Sequence, residues 1–543
     1  MNGNSADDLF QRLDQLNEIG AALSRERDID RLLEDILLAA KDITRADGGT
    51  LYLMNEAHTH LRFEIMRTDS LGIALGGTTG KPVTLPELPL TDAHGAPNNA
   101  LVAAYAAINE ATVNIADAYT EAGFDFSGTR SFDARTGYRS RSFLTVPMKN
   151  HDDEIIGVLQ LINAIDPTSG AVERFSREDQ RLVESLASQA AIALTNRQLI
   201  DQLERLFESF IGVLNLAIDE KSPYTGGHCQ RVPELTLMLA DAVNRCDEGV
   251  FADFHMDEKA RYELKIAGLL HDCGKVTTPV HVVDKASKLE TIFDRIHLVD
   301  ARFEVLKRDA EIRAWRKAAG GELPPALAAA LADECAALDA ERDFLRHANV
   351  GNEAMRPEDQ NRVREIAGRH RWRKGGEEED LLSANEVENL CVRAGTLTAA
   401  EREIINHHIV ATIRMLEQLP WPRHLRRVTE YAGGHHERMD GKGYPKGLKG
   451  EDMSVPTRIM GIADIFEALT ASDRPYKQGM KLSQAVSIMA GFARNGHIDP
   501  DLFAVFMRGG VFLDYARRFL KPEQIDAVDV TTVLATLLAG AAA

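Results

Sequence analysis

Cysteine is scarce, long apolar runs are missing, and basic residues are outnumbered. The five cysteines among 543 residues (Cys229, Cys246, Cys273, Cys335, Cys391) are an odd set without framework spacing. That excludes a disulfide scaffold and points to reduced thiols. No stretch approaches the ~20 apolar residues of a membrane helix. The acidic N-terminus also lacks the basic start, apolar run and small-residue cleavage site of a signal peptide. The expectation is a cytoplasmic chain with no membrane insertion. Lys and Arg number 63 against 83 Asp and Glu, a net charge of −20. Such a surface repels phosphate backbones, which excludes DNA or RNA as a partner, although a small anion can still be held where local cations gather. Hydrophobic and charged contents of 44% and 27% are ordinary for a folded protein. The length exceeds what one core supports, so several domains are expected.

What is present falls into two halves. Residues 7–46 carry apolar positions at helical spacing, and "GGTLYLMNEAHTHLRFEIM" then alternates as two strands around the polar "NEAHTH". The stretch "GGTTGKPVTLPELPLTDAHGAPNN" reads as loop. "SFLTVPMKN" and "IIGVLQLINA" read as a hairpin of buried strands. From Ser176, an N-cap with Asp179 three residues on, the pattern is helical to about Asp219. This connecting helix, 176–219, keeps an apolar stripe suited to pairing with its copy in a homodimer. From residue 210 onward strand signals nearly vanish. Within this helical half, residues 291–396 read as a charge-dense helical insertion that ends in the solvated run "RHRWRKGGEEEDL".

Histidines and carboxylates gather in the second half: His228 in "YTGGHCQRV", His271, Asp272 and Lys275 in "LLHDCGK", His407 and His408 in "NHHIVATIRML", His435 and His436 in "GGHHERMDGKGYPKG", and Asp464 in "GIADIFEAL". Each sits on or beside an apolar helical pattern, so rigid helices can aim them at a shared centre. A His-Asp pair beside Leu269 and Leu270 is costly to bury without a partner, and a metal cation is such a partner. An aspartate can bridge two cations, with neutral imidazoles completing each shell. This ligand mixture favours iron or manganese over an all-thiolate zinc site; zinc and nickel stay open. Of His407 and His408 only one is expected to point inward, and spacing alone does not choose. Lys275, four residues after His271, is expected on the same helical face, holding an anionic substrate oxygen. Gly441 and Gly443 permit backbone geometry closed to other residues, and Pro445 stiffens the exit of that turn.

At these residues the sequence resembles the HD-GYP branch of metal-dependent phosphohydrolases. The resemblance runs from about Ile211 through 543, interrupted by the insertion, and rests on "YTGGHCQRV", "AGLLHDCGK", "EREIINHH", "HHERMDGKGYPKGLKGE" and "RIMGIADIFEALTASDRPYK". It implies hydrolysis of cyclic di-GMP to the linear dinucleotide or GMP by two divalent metal ions. It places metal ligands at His228, His271, Asp272, His408, His435, His436 and Asp464, with Asp272 and Lys275 in the catalytic role. His408 is preferred because the family's histidine lies five residues after the glutamate that is here Glu403, although Ile409 replaces the proline that commonly follows. Lys275, Arg474 and Lys477 match substrate-contacting cations. Tyr224 stands where some members carry a glutamate for a third metal, so two are expected. A signalling adaptor with little turnover, and a phosphodiesterase for another cyclic dinucleotide such as a GMP-AMP hybrid, are the alternatives.

Residues 13–200 resemble a GAF sensor domain, through "ADGGTLYLMNEAHTHLRFE", "VNIADAYTEAGFDFSGTRSFDARTGYRSRSFLTVPM", "EIIGVLQLINA" and "FSREDQRLVESLASQAAIAL". The implied fold class is α+β: an antiparallel sheet flanked by helices, joined by the long helix to an all-α domain at 211–543. Where the GAF domains of cyclic nucleotide phosphodiesterases carry Asn-Lys, Phe and Asp-Glu, this chain has Asn163, Ala164, Phe175, Asp179 and Gln180. Without the lysine the aspartate loses its ion pair, and these residues are expected to fix the sheet–helix junction. A small-molecule ligand in this domain and a purely dimerising role are both open.

Overall fold

Strands that are apolar on both faces need cover on both, and the first half of the chain builds that arrangement. The computed structural model describes residues 3–26, 28–92, 94–221, 227–318, 321–351, 354–472 and 479–540. They form two units, 1–207 and 208–543. In the first, β1 (Ala46–Met54), β2 (His60–Thr68), β3 (Ile73–Leu75), β4 (Leu88–Pro89), β5 (Val113–Ile115), β6 (Phe143–Lys149), β7 (Ile155–Ile165) and β8 (Val172–Glu173) make one sheet. Its order is β3-β2-β1-β7-β6-β5, with β4 on β2 and β8 on β7, and every pairing is antiparallel. Leu51 faces Leu159 across β1 and β7, and the next pair, Tyr52 and Val158, points the other way. The leucines join a core beneath α1 (Gly3–Leu23), α2 (Ile29–Thr44) and the start of α5 (Arg177–Lys221). Tyr52 and Val158 pack under α3 (Val102–Asn109). Burying one such leucine stabilises by ~1.5–3 kcal/mol. Beyond α3 lies α4 (Ser127–Thr136).

The Asn163, Phe175 and Asp179 set does structural work at the sheet–helix junction. Asn163 has a left-handed φ of 59°. Its Oδ1 accepts from the N–H groups of Arg141 (2.7 Å) and Ser142 (3.3 Å), and its Nδ2 donates to Arg139 O and the Tyr138 hydroxyl, both at 2.9 Å. Phe175 is core. Asp179 accepts from Ser176 N at 2.9 Å while its own N–H bonds Ser176 Oγ at 3.0 Å, a reciprocal cap that starts α5. The cation missing at Ala164 is supplied from α1: Arg12 Nη2 lies 2.7 Å from Asp179 Oδ1.

The second unit holds α6 (His228–Asn244), α7 (Glu258–Leu270), α8 (Val280–Val283), α9 (Ile296–Lys317), α10 (Pro325–Asn349), α11 (Pro357–Arg369), β9 (Arg371–Lys374), β10 (Glu377–Asp380), α12 (Ala384–Leu390) and α13 (Ala399–Leu416). It continues with α14 (Val428–Gly433), α15 (Val455–Thr470), α16 (Leu482–Arg494), α17 (Pro500–Arg508), α18 (Val511–Phe519) and α19 (Val530–Gly540). Helix α6 packs on α7 and α15, and α13 packs on the turn that follows α7. Leu289 to Leu390 enclose a separate core that includes Val299, Phe303, Leu345, Val363 and Leu381. Its two ends meet. Lys285 Nζ, buried, bonds both Glu401 carboxylate oxygens (2.8 and 2.7 Å) and Asn389 Oδ1 (2.7 Å), and Thr396 Oγ donates to Lys285 O at 2.8 Å.

One expectation needs correcting. The "RHRWRKGGEEED" run is not bare solvated chain within a helical insertion: Arg371–Lys374 and Glu377–Asp380 pair as an antiparallel hairpin. All of it except Trp372 is exposed, so hydrophobic alternation could not announce it. Cross-strand charge does, through Arg371–Asp380 and Arg373–Glu378.

Asn163→Ala removes four hydrogen bonds and leaves in left-handed backbone a residue without asparagine's tolerance of it, a loss of ~2–4 kcal/mol. Hydrogen exchange of the β6 and β7 amides in the full chain should accelerate at least tenfold. Unchanged protection there would show that Asn163 is not structural.

Candidate metal centre

Each histidine of the centre reaches it from the end or the buried face of a helix. His228 is the first residue of α6, His271 the C-cap of α7, and His408 lies on the inner face of α13. His435 and His436 follow α14, and Asp464 is on the buried side of α15. His408 is 3% exposed whereas His407 is exposed, so α13 turns His408 inward. The close approach of α13 requires Gly274: a Cβ there would lie 2.0 Å from His408 O. Gly274 N instead donates to Thr412 Oγ at 2.9 Å.

Three imidazoles are oriented by the same local bond. The Nδ1–H groups of His271, His408 and His435 donate to the carbonyls of Gly268 (2.6 Å), Ile405 (2.5 Å) and Ala432 (2.6 Å), three residues earlier in each case. That fixes the tautomer and leaves each Nε2 as a lone pair aimed inward. His228 is oriented differently, by a carboxylate: its Nδ1 lies 2.5 Å from Glu467 Oε2, and Arg231 holds the other oxygen of Glu467 at 2.6 and 2.8 Å.

Ligand atoms collect in two groups, His228–His271–Asp272 and His408–His435–His436, each within 4.8 Å. Asp272 stands between them. Its Oδ2 is 3.2 Å from His228 Nε2 and 3.3 Å from His271 Nε2, and its Oδ1 is 3.2 Å from His408 Nε2. Asp464 Oδ1 is 3.3 Å from His228 Nε2, and Asp464 Oδ2 is 3.9 Å from His436 Nδ1, so this carboxylate also reaches toward both groups.

Electrostatics favour a cation here. Burial raises the Asp272 carboxyl, but Lys275 and His271 outweigh it and hold it well below the usual range. Burial likewise opposes ionisation of Asp464, and the His228 hydrogen bond and neighbouring imidazoles win. Burial pushes His435 well below its ordinary value, and brings His436 down to about 4 although Asp464 opposes it. Both are neutral donors at neutral pH. His228 goes the other way: burial lowers it, yet Asp272, Asp464 and Glu467 together raise it. A divalent cation satisfies that carboxylate demand more fully. The fit is also visible in orphaned atoms: Asp272 Oδ1, His408 Nε2 and His435 Nε2 are buried with no hydrogen-bond partner. Lone pairs in that condition are costly unless a metal accepts them.

Lys275 is placed by a different route from the expected one. The helix stops at Leu270, and Cys273–Thr277 is a 3-10 turn, so Lys275 does not share a helical face with His271. It eclipses Asp272 three residues back, and its Nζ lies 2.5 Å from Asp272 Oδ2. Gly441 adopts a left-handed φ of 74°, and Gly443 allows the turn to touch Glu437, whose Cα a Cβ would meet at 2.4 Å. The Glu437 carboxylate then accepts from Lys446 N (2.7 Å) and Leu448 N (2.8 Å), clamping the loop. Pro445 follows a cis peptide. Arg474, Lys477 and Tyr224 lie outside the described residues.

The sequence reading missed Glu467 and Arg231. Their signal was spacing: Glu467 is three residues after Asp464 and Arg231 three after His228, each one turn along the same face.

Both halves of the chain are similar to known proteins. The GAF-domain family profile matches residues 28–194, and HD-domain profiles match 225–338 and 384–502. The 3'3'-cGAMP-specific phosphodiesterase 1 of Vibrio cholerae is 36% identical over 129 residues, 24% of this chain and 29% of that protein. A cyclic di-GMP phosphodiesterase of Pseudomonas aeruginosa is 38% identical over 116 residues, 21% and 27% of the two chains. One of Thermotoga maritima is 38% identical over 106 residues, 20% and 28%. The aligned stretches thus span less than a third of these relatives. No helix among the described residues is long and apolar enough to cross a membrane.

Because Glu467 orients His228, Glu467→Gln should weaken divalent-metal retention ~10–100-fold with the fold intact. Metal content after dialysis against a graded chelator checks this, and wild-type retention would show that the carboxylate does not support the ligand.

Proposed function

We propose that this chain, which carries a GAF domain and an HD domain, hydrolyses the phosphodiester bonds of cyclic di-GMP to the linear dinucleotide or GMP. The observation that carries the reading is Asp272 shared between two groups of inward-facing ligand atoms, with Lys275 beside it. His228, His271 and Asp272 would hold one cation and His408, His435 and His436 the other, with Asp272 common to both and Asp464 reaching toward each. Two divalent ions, iron or manganese, would supply Lewis acidity and an acidified water at neutral pH. The chain's own contribution is to keep His435 and His436 neutral, exclude bulk water through burial, and present Lys275 to a non-bridging phosphoryl oxygen. Burial lowers the Lys275 ammonium and Asp272 raises it above its usual value, so it stays charged while substrate binds. That fixed charge offsets the negative charge carried by the phosphoryl oxygens in the transition state. Arg474 and Lys477 are the further candidate phosphate contacts. The cGAMP-specific names of Vibrio relatives favour a second reading with the same chemistry, a GMP-AMP hybrid as substrate.

Regulation would pass from the GAF domain along α5. Leu199, Leu203, Leu206, Phe210 and Val213 on this helix are 44–67% exposed and follow a four-three-four-three spacing. That spacing suits the seam of a two-stranded coiled coil and supports a homodimer. A small-molecule ligand of the GAF domain would act by favouring one dimer arrangement.

Asp272→Ala should remove bound metal and reduce turnover of cyclic di-GMP to background; full activity in that variant would defeat the reading. The double substitution Leu203→Glu and Leu206→Glu should convert a dimer to a monomer in light-scattering measurements. A wild-type chain that is already monomeric would refute the seam.

A further inference from the structure

Two lysines three residues apart are both buried and treated very differently. Lys285 has the Glu401 carboxylate and Asn389 at its ammonium. Lys288 is 1% exposed, yet its Nζ meets only the Leu390 carbonyl at 3.1 Å and the Met355 thioether at 3.4 Å. Among the described residues no carboxylate lies within ion-pair distance of it. A carbonyl and a sulfur compensate a buried charge poorly, and the uncompensated cost is several kcal/mol. Burial accordingly pushes the Lys288 ammonium below the ordinary lysine range.

Lys288 lines a solvent-open cavity of about 280 Å³ beside the 289–390 core, where the other charged or titratable groups are Arg356, Arg362, His347 and Asp359. Arg356 and Arg362 line it from α11, and His347 from the end of α10. Arg356 is the N-cap of α11 and supplies no side-chain cap, and Glu358 and Asp359 already answer the positive end of that 13-residue helix from its first turn. Arg362 stacks over the Phe344 ring at 4.2 Å, which presents a flat cation–aromatic wall. Among the described lining residues the one acid, Asp359, is engaged by Arg356 at 3.0 Å.

We infer that this cavity is a binding site for a small phosphate-class oxyanion, with Lys288 as its buried counter-ion and Arg362 as a second, exposed contact. The cavity is just under the ~300 Å³ at which small-molecule sites begin. It therefore suits inorganic phosphate or a small phosphomonoester and not a cyclic dinucleotide, which separates it from the metal centre. Bound there, an oxyanion would restore the Lys288 proton affinity and tie α10 to α11 across the cavity.

The test is thermal unfolding of the full-length protein at matched ionic strength in chloride, in inorganic phosphate and in GMP. Saturating phosphate should raise the wild-type melting temperature by roughly 2–4 °C. Lys288→Met keeps the stem and removes the charge, so it should melt no lower than wild type in chloride and lose the phosphate increment. Arg362→Gln, at an exposed position, should weaken the phosphate midpoint at least threefold and serves if the first variant folds poorly. A larger increment with GMP that Lys288→Met also loses assigns a phosphomonoester to this cavity, and an increment with phosphate alone assigns the free ion. No phosphate increment in the wild type, or an equal increment in all three proteins, overturns the inference.

Discussion

The bond from each imidazole Nδ1–H to the carbonyl three residues earlier, at His271, His408 and His435, is the constraint on which the centre depends. It is local, so it forms with the helix end that carries it, and it removes the only choice an imidazole has. Once Nδ1 is occupied, Nε2 is a lone pair, and the helix decides where that lone pair points. Bringing three such helices together leaves buried acceptors facing each other, an arrangement stable only if something electropositive sits among them. Asp272 has to lie between the groups because its two oxygens are the shortest connection from one set of Nε2 atoms to the other.

His228 shows the same requirement met by other means. It begins α6, and its orientation comes from Glu467 on α15 and, behind it, Arg231 on α6 itself. This arch of Arg231, Glu467 and His228 crosses between two packed helices. The geometry at His228 is thus coupled to the α6–α15 contact in a way the other three histidines are not.

Much of this was readable from the amino acids. The apolar alternation of β1, β2, β6 and β7 and the stripe of α5 appear as written, because burial of one or both faces leaves a period in the sequence. The glycine-flanked His435–His436 pair and "LLHDCGK" stood out because charged groups beside leucines need an explanation. What was not legible depends on things a period cannot carry. The β9–β10 hairpin is almost wholly exposed, so its strands have no apolar face to read. Lys275 was assigned to a helical face because nothing in "HDCGK" announces that the helix ends at Leu270. Arg12 as the partner of Asp179 joins residues 167 positions apart, and only the folded α1 brings them together.

The meeting of Lys285, Thr396 and Glu401 has an evolutionary consequence. Chain that leaves at Lys285 returns, more than a hundred residues later, to a hydroxyl that bonds the Lys285 carbonyl, and to the glutamate that also caps α13. A segment whose entry and exit are hydrogen-bonded neighbours can lengthen, shorten or be exchanged between lineages without dragging His408 out of register. The second half of the chain therefore has a socket at which natural variation, or a designer's cassette, can be spliced while the helix beyond it stays where it is.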